Sequence, residues 1–598
     1  MSTEFKRVNF LLGTDTAGQP VYISDQILAT GLWLLGPPGQ GKTSAMLALI
    51  KQGLIKKIPQ VYIDRHGDGC DELMAFASRH DSLAETIIHF DPLQKEIILG
   101  FDIMHLRHQL LCEKVASLIQ ACHGMMGEGA LETPRANRWM ANVFEALLVN
   151  KCAFVEALAL TDILDNPLRT ALIEQVKHLP SGAEWRLFEK LKYPQQRLDQ
   201  LESSLNRIRN LVQNERLSLM LGTKENILSL DDLVTNNKTL ILDMSQRGCL
   251  SDLDGDILAT LIMHEIIAFV RARPKPRKPL TLYVDEYQKS CSRLTAESHA
   301  EDRKHGLRWV VANQIPSQLK DDPQIFHSVK GNILSKLIFG NLPFSEIIEL
   351  EPDVFTNHDI NKIKDEIHTT KVLSYKEEQR TIRSQSETDS ETSVDSYMDA
   401  DGVSSCDTTA ESSGLTNTTG FTSSISSDPN AGLFEDGPVR TNEGVSEVIS
   451  EALSQMSGHS DAESHTHSEG HAEGTSHSRT QGTSKIPFLV PKMGRELSSR
   501  TFESLENQRF VNCVQMKQLP KQTAILKILN QKPKQVKIRD VKTIPASEEQ
   551  LAAFKRKMFA AHGCYNLATE IEKEIEVRHE KLLKQTNSTQ DSNSFFED

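Results

Sequence analysis

The run Gly36-Pro37-Pro38-Gly39-Gln40-Gly41-Lys42-Thr43 constrains this chain more than any other eight residues in it. It matches G-x-x-x-x-G-K-[ST], and its surroundings are those a phosphate-binding loop needs. The apolar run Leu32–Leu35 before it reads as a buried strand. Residues 44–54 after it read as a helix with Met46, Leu47, Ile50 and Leu54 on one face. Glycines let such a loop curl around an anion, so that backbone N–H groups and the helix N-terminus point at phosphate oxygens. The stretch from Gly36 through Pro37, Pro38, Gly39, Gln40 and Gly41 to Lys42, Thr43 and Ser44 is therefore expected to wrap a nucleotide's phosphates. Lys42 would reach the β- and γ-phosphates, and the Thr43 hydroxyl would hold Mg²⁺. The expected occupants are ATP and Mg²⁺.

Downstream, Gln60-Val61-Tyr62-Ile63-Asp64 is a second strand ending in a carboxylate, followed by Arg65-His66-Gly67-Asp68-Gly69. An acid and a Gly-rich loop at a strand's end belong at the ligand edge of a parallel sheet. Residues 86–90 give a third strand, and strand–helix–strand at this spacing argues α/β with right-handed crossovers. The period then changes. Leu111, Val115, Leu118 and Cys122 share a helical face, as do Leu198, Leu201, Leu205, Ile208 and Val212, while Trp139, Val143 and Leu147 recur every four residues. Pro134, Pro167, Pro180 and Pro194 punctuate these helices. Residues 105–224 thus read as an all-helical insertion into the α/β core. Its Arg197, Arg207, Arg209 and Arg216 are either DNA contacts or a solvated, ion-paired face.

The core resumes with a strand at Thr239–Asp243 and a helix over 256–271. After a Lys/Pro loop, Leu280-Thr281-Leu282-Tyr283-Val284 ends in Asp285-Glu286. Buried carboxylates are expensive, so an acidic pair capping an apolar strand points to a cation or a chemical task. Asp285 fits the carboxylate that holds Mg²⁺ and its water shell. Glu286 fits the base, or water-positioning group, for attack on the γ-phosphate. The strand at 308–312 ends at Asn313-Gln314, where Gln314 could orient the attacking water or serve as a turn amide. Another strand is expected over 333–340 and a mixed helical stretch over 355–373.

The formal charge of −14 misleads, because residues 381–484 hold 18 acidic against 3 basic side chains. The rest of the chain carries +1, so a polyanionic partner is not excluded. Ser and Thr fill 37 of those 104 positions, and apolar residues are too few to offset chain entropy, so the tract is expected to be disordered. Only residues 445–456 have the periodicity of a transient helix. His459, His465, His467, His471 and His477 are too irregularly spaced for a metal site, and the nine scattered cysteines contain no C-x-x-C pair. They fit a reducing cytoplasm. Residues 1–10 lack the apolar core of a signal, and no membrane insertion is expected. Order is expected to return near residue 486, with a helix over 500–507. Residues 523–528 and 536–541 alternate as a strand pair completing the sheet edge. A charged helix over 547–584 and a frayed tail follow.

The expected organisation is thus a first part of the nucleotide core (1–104), the helical insertion (105–224) and a second part of the core (225–380). The low-complexity insertion (381–484), C-terminal strands (485–546) and a charged helix with its tail (547–598) complete it. The fold class is α/β, a mostly parallel P-loop (RecA-like) sheet flanked by helices.

GPPGQGKT at 36–43, YIDRHGDG at 62–69, HFDP at 89–92, LYVDE at 282–286 and RKHGLRWVVANQ at 303–314 together resemble the FtsK/HerA superfamily of hexameric P-loop ATPases. The ATPase domains of conjugative coupling proteins of the TraG/TraD type are especially similar, and they too carry an all-helical insertion before the acidic strand. The resemblance spans roughly residues 25–375 and 486–545. It implies that Lys42 and Thr43 bind phosphate and Mg²⁺, that Asp285 and Glu286 run hydrolysis, and that Gln314 senses the γ-phosphate. It also implies that Arg303 either completes a neighbouring subunit's site or forms an ordinary surface ion pair. Membrane coupling proteins carry a transmembrane anchor, and HerA proteins a barrel, where this chain has about 30 residues ahead of the phosphate loop. Two functions follow as expectations. One is a ring-forming, DNA-stimulated translocase of a DNA-transfer or mobile-element system, with Lys275, Arg277 and Lys278 tracking the backbone. The other is an assembly ATPase that remodels a protein partner without moving DNA. A nucleotide-gated scaffold would not need Lys42, Asp285 and Glu286 together.

Overall fold

The computed structural model describes residues 8–106, 110–123, 134–248, 250–356, 358–392, 474–529, 531–539 and 544–594. Its strands in chain order begin with β1 (Asn9–Asp15), β2 (Pro20–Ser24), β3 (Leu32–Leu35), β4 (Gln60–Asp64) and β5 (Ile87–Phe90). They continue with β6 (Ile97–Leu99), β7 (Thr239–Asp243), β8 (Leu280–Val284), β9 (Leu307–Asn313) and β10 (Ser335–Phe339). Last come β11 (Ile363–Thr392), β12 (Gly474–Phe502), β13 (Thr523–Lys527), β14 (Lys534–Ile538) and β15 (Tyr565–Leu567). The chain divides into two units, residues 1–362 with 502–598, and residues 363–501.

In the first unit the apolar runs form one sheet in the order β2-β1-β14-β13-β10-β3-β9-β8-β4-β7-β5. From β10 to β5 every pairing is parallel. β3, β4, β7, β8 and β9 are buried along their whole length, as parallel strands covered on both faces must be. Alternate side chains enter opposite cores. Trp33, Leu35, Ile63, Val284 and Trp309 face one, which the helical insertion completes through Trp139, Val143, Leu205 and Ile208. Leu32, Leu34, Tyr62, Tyr283 and Val310 face the other, with Met46, Ile50 and Leu54 of the Lys42–Ile55 helix. Pro134, Pro167, Pro180 and Pro194 each open a helix, where a missing N–H costs nothing and the fixed φ is already helical.

Several elements differ from their expected places. β13 pairs antiparallel with β10 and β14 antiparallel with β13, but β1 and β2 lie outside them, so the C-terminal pair is internal rather than the edge. The expected helix over 547–584 is two, Glu548–Ala561 and Ala568–Ser594. Between them β15 pairs with β6, and the Tyr565 hydroxyl accepts from His89 N at 2.7 Å and donates to His89 O at 3.0 Å. A hydrophobic partner far away in sequence overrides the local helical pattern here. Among the described residues no helix is long and apolar enough to cross a membrane.

The second unit is a two-stranded sheet of β11 and β12. It replaces the helical stretch expected over 355–373, where Ile363, Ile367, Thr369, Thr370 and Val372 are β-branched residues. It also takes in both ends of the acidic tract, 381–392 and 474–484, as well as the start of the helix expected at 500. That helix runs instead over Leu505–Lys517, capped by Ser504. Composition weighs only side-chain burial. A ladder to a distant segment satisfies backbone groups that no composition count registers. The tract's remainder, including the 445–456 stretch and the histidines from His459 to His471, lies outside the described residues.

The core also buries a histidine with no polar contact. Neither His299 ring nitrogen has a hydrogen-bond partner among the described residues, and the ring packs between Trp309 (4.7 Å between centroids) and Tyr287 (5.5 Å). Burial pushes its pKa down to about 3. Because the folded value is depressed, the stability this ring contributes is present above its unfolded pKa and is lost as pH falls from that value toward 3. His299→Phe, which keeps the aromatic packing, should remove about 2 kcal/mol of acid sensitivity between pH 7.5 and 5. Urea unfolding of both proteins at the two pH values measures it. An identical pH dependence would show that the ring does not titrate on unfolding.

Candidate active site

Parallel strands bring their C-terminal ends to one edge, and the loops beyond those ends form a crevice. β3 lies beside β9, with Leu35 opposite Asn313, and β9 lies beside β8, with Val311 opposite Val284. The residues following these three strands are therefore neighbours: the phosphate loop, Asn313-Gln314 and Asp285-Glu286. Sequence separations of more than 240 residues collapse to single hydrogen bonds. The Thr43 hydroxyl donates to Asp285 Oδ2 at 2.9 Å.

The phosphate loop has the shape its glycines permit. A Cβ on Gly36 would sit 2.6 Å from Phe339 Cβ, so only glycine lets β3 pass β10 at this point. Gly41 caps the Lys42–Ile55 helix at φ 114°, a left-handed conformation, and offers no side-chain cap. The first-turn N–H groups are left for an oxyanion. Pro37, Pro38, Gly39 and Gln40 form the turn between strand and helix, and Ser44 follows Thr43 in the helix's first turn. Gln40 O accepts from Gln522 N at 2.9 Å, so the segment before β13 packs on the loop. The Lys42 ammonium is buried and donates to Gly36 O (2.6 Å) and Pro37 O (3.4 Å). Burial lowers its pKa, and Asp285 and Glu286 oppose that shift.

Asp285 is buried at 2 % exposure, and burial first, then Asp64 and Glu286, push its pKa up to about 6 against the Thr43 hydrogen bond and Lys42. A carboxylate so short of compensating charge is suited to a cation. With the Thr43 hydroxyl it makes two hard oxygen donors, a number Mg²⁺ accepts when phosphates and waters complete its shell. No cluster of three or more metal-ligating His, Cys, Asp or Glu is found among the described residues.

Glu286 adopts φ 51°, ψ 52°, a left-handed backbone that costs a non-glycine residue roughly 1–2 kcal/mol and turns its side chain out of the strand direction. Its Oε1 accepts from Gln314 Nε2 at 3.1 Å and lies 3.6 Å from His66 Nε2, while Oε2 accepts from Gln288 Nε2. Gln288 in turn accepts from Asn313 Nδ2 at 2.7 Å, and Asn313 accepts from the Trp33 indole at 2.9 Å. Gln288 and Trp33 were not among the expected site residues. An amide two positions past an acidic pair, and an indole inside an apolar strand, carry no sequence signal of their own. Asp64 accepts from His66 N (3.0 Å) and Cys70 N (2.9 Å), which shapes the loop after β4.

Other expected contacts lie elsewhere. Arg303 sits in a 3-10 turn ahead of β9, at the sheet edge opposite the phosphate loop, and lines a cleft of about 520 Å³ with Lys275, Pro276, Arg277, Lys304 and Gly306. Arg197 is buried, bonded to Asp165 and Ile163 O, and Arg216 donates to Pro92 O and Gln94 O. Both tie loops together, as do Arg277 through Arg273 O and Lys304 O and Lys278 through Thr235 O. Arg209 is half-buried, and the Arg207 side chain lies outside the described residues.

No family model matches the chain, and no curated protein matches it. Among solved structures it is similar to the bacterial conjugative coupling protein TrwBdeltaN70 in an unbound form, at 13% identity and a TM-score of 0.45, covering 90% of each chain. It is also similar to the plasmid coupling protein TrwB in complex with ADP and Mg²⁺, at 15% identity and a TM-score of 0.40, covering 58% of this chain and 83% of that one. A third is VirB4 of Thermoanaerobacter pseudethanolicus, at 14% identity and a TM-score of 0.37, covering 59% of this chain and 92% of that one.

Proposed function

We propose that this protein is a P-loop ATPase of the FtsK/HerA type that assembles as a ring and moves DNA. The observation that carries the ATPase reading is the Thr43–Asp285 hydrogen bond. It joins the end of the phosphate loop to the acidic strand, with Lys42 and Glu286 on the same crevice. Lys42 and the uncapped helix N-terminus hold the β- and γ-phosphates, and Thr43 with Asp285 would hold Mg²⁺. That ion, when bound, neutralises charge that develops on the phosphate oxygens. Glu286 accepts the proton of the attacking water, and Gln314, already bonded to Glu286, orients that water.

Arg303 cannot reach the phosphate loop of its own chain from the opposite sheet edge, which favours a role at a neighbouring copy's site. The DNA reading rests on charge. Lys275 and Arg277 line the Arg303 cleft, and Lys278 stands beside them. Phosphate contacts of this kind follow a nucleic-acid backbone without reading its sequence. Partners from a DNA-transfer or mobile-element system, and a cytoplasmic location, belong to the same reading.

The test is ATP turnover with and without single- and double-stranded DNA across a salt series. Turnover should rise with DNA, and three phosphate contacts per chain should cost roughly 40-fold in DNA affinity between 50 and 200 mM salt. Replacing Lys275, Arg277 and Lys278 together by Ala should flatten that slope. ATP hydrolysis that ignores DNA and is raised instead by a protein partner would establish the remodelling function.

A further inference from the structure

Glu286 ends a chain of hydrogen bonds whose direction is set by its two ends. The Trp33 indole N–H can only donate, so the oxygen of the Asn313 amide must face it, at 2.9 Å. The Asn313 NH₂ then faces Gln288 Oε1, at 2.7 Å. This turns the Gln288 NH₂ toward Glu286 Oε2, and a carboxylate can only accept. Trp33 and Asn313 are fully buried, so neither the indole nor the Asn313 amide can exchange its partner for water without leaving a polar atom unmet. Three bonds therefore run head to tail, each polarising the next, and all donate toward one oxygen of Glu286. The other oxygen takes Gln314 Nε2. The relay also crosses three strands: Trp33 lies on β3, which leads into the phosphate loop, Asn313 ends β9, and Gln288 follows β8.

We propose that Gln288 is a positioning residue for ATP hydrolysis. Oriented by Asn313 and Trp33, it holds the Glu286 carboxylate in one rotamer, with Oε2 occupied and Oε1 shared with Gln314. Oε1 is then the oxygen that takes the proton of the attacking water, and Gln314 is the amide that must yield or turn to let it do so. Gln288 itself touches no reacting atom. The relay also ties the direction of that carboxylate to the strand that carries the phosphate loop. The inference rests on Glu286 being the base of the proposed ATPase, and its tests separate the two.

Gln288 is only half-buried, so its replacement should leave the protein folded. Gln288→Ala should lower kcat roughly 10- to 100-fold, the loss expected for one hydrogen bond to a charged group, with KM for ATP unchanged. Gln288→Glu keeps the shape and the acceptor for Asn313 but, while ionised, has no hydrogen to donate, so above the pH at which it shares a proton with Glu286 it should lose as much. In a Glu286→Gln background Gln288→Ala should cost nothing further, since the group it positions is gone. A second measurement needs no turnover and no nucleotide. The ¹⁵N–¹H indole resonance of Trp33, identified by its loss in Trp33→Phe, should shift in Gln288→Ala, two bonds along the relay. Parent-like turnover in Gln288→Ala and Gln288→Glu, or an unmoved indole resonance, would overturn the proposal. If the parent hydrolyses no ATP, or Glu286→Gln hydrolyses it normally, the functional reading fails, and the indole shift then decides the relay alone.

Discussion

Glu286→Gln binds ATP as the parent does and turns it over about 10²- to 10⁴-fold more slowly, the range a positioned general base contributes. The substitution keeps the side chain's size and its place beside Gln314 and Gln288 while removing the group that takes the proton. Lys42→Ala fails differently. It removes an ammonium from the phosphate crevice, and nucleotide affinity falls roughly 10- to 100-fold, as expected for a lost hydrogen bond between charged partners. Equilibrium binding and steady-state turnover on both variants separate the two effects. Turnover at the parent rate in Glu286→Gln would show that the end of β8 is not where hydrolysis happens.

Arg303→Ala binds ATP normally and hydrolyses it about 10³- to 10⁵-fold more slowly, because an arginine supplied in trans stabilises charge on the transferred phosphoryl group. A guanidinium is always charged and can clamp two phosphate oxygens at once. Its position makes the test specific. Arg303 lies at the edge of the sheet away from its own phosphate loop, so a loss of turnover with ATP binding intact would favour a site shared between copies. Mixing Arg303→Ala with Lys42→Ala puts an intact phosphate loop from the first opposite an intact arginine from the second. ATPase rate against mixing ratio, at fixed total protein and with DNA present, then passes through a maximum. A flat, additive line removes Arg303 from the reaction, and a fully active monomer by light scattering removes the ring.

That residues 36–43, Asp285-Glu286 and Gln314 come together was legible in the sequence for one reason. Each stands at the end of an apolar run, and a parallel sheet gathers such ends at one edge whatever the distance along the chain. The helices between Leu111 and Gly222 were legible because their 3.6-residue period is local. Periodicity also placed β13 and β14 as a strand pair, though not their position inside the sheet.

The rest depended on contacts between distant segments. β1 closes the sheet beyond β14, β15 breaks the C-terminal helix to reach β6, and the β11–β12 ladder takes in the ends of a tract whose composition argues against any order. Side-chain roles followed the same division. Arg197 and Arg216 read either as DNA contacts or as an ion-paired helix face until folding supplied carboxylate and carbonyl partners. Trp33 reads as core, and it is core, yet its one polar atom starts the relay to Glu286. Periodicity and motif spacing express what each residue does with its neighbours in the chain. Hydrogen bonds between strand ends, and pairings between segments hundreds of residues apart, arise only when the sheet's strand order brings them together, and no local pattern carries that order.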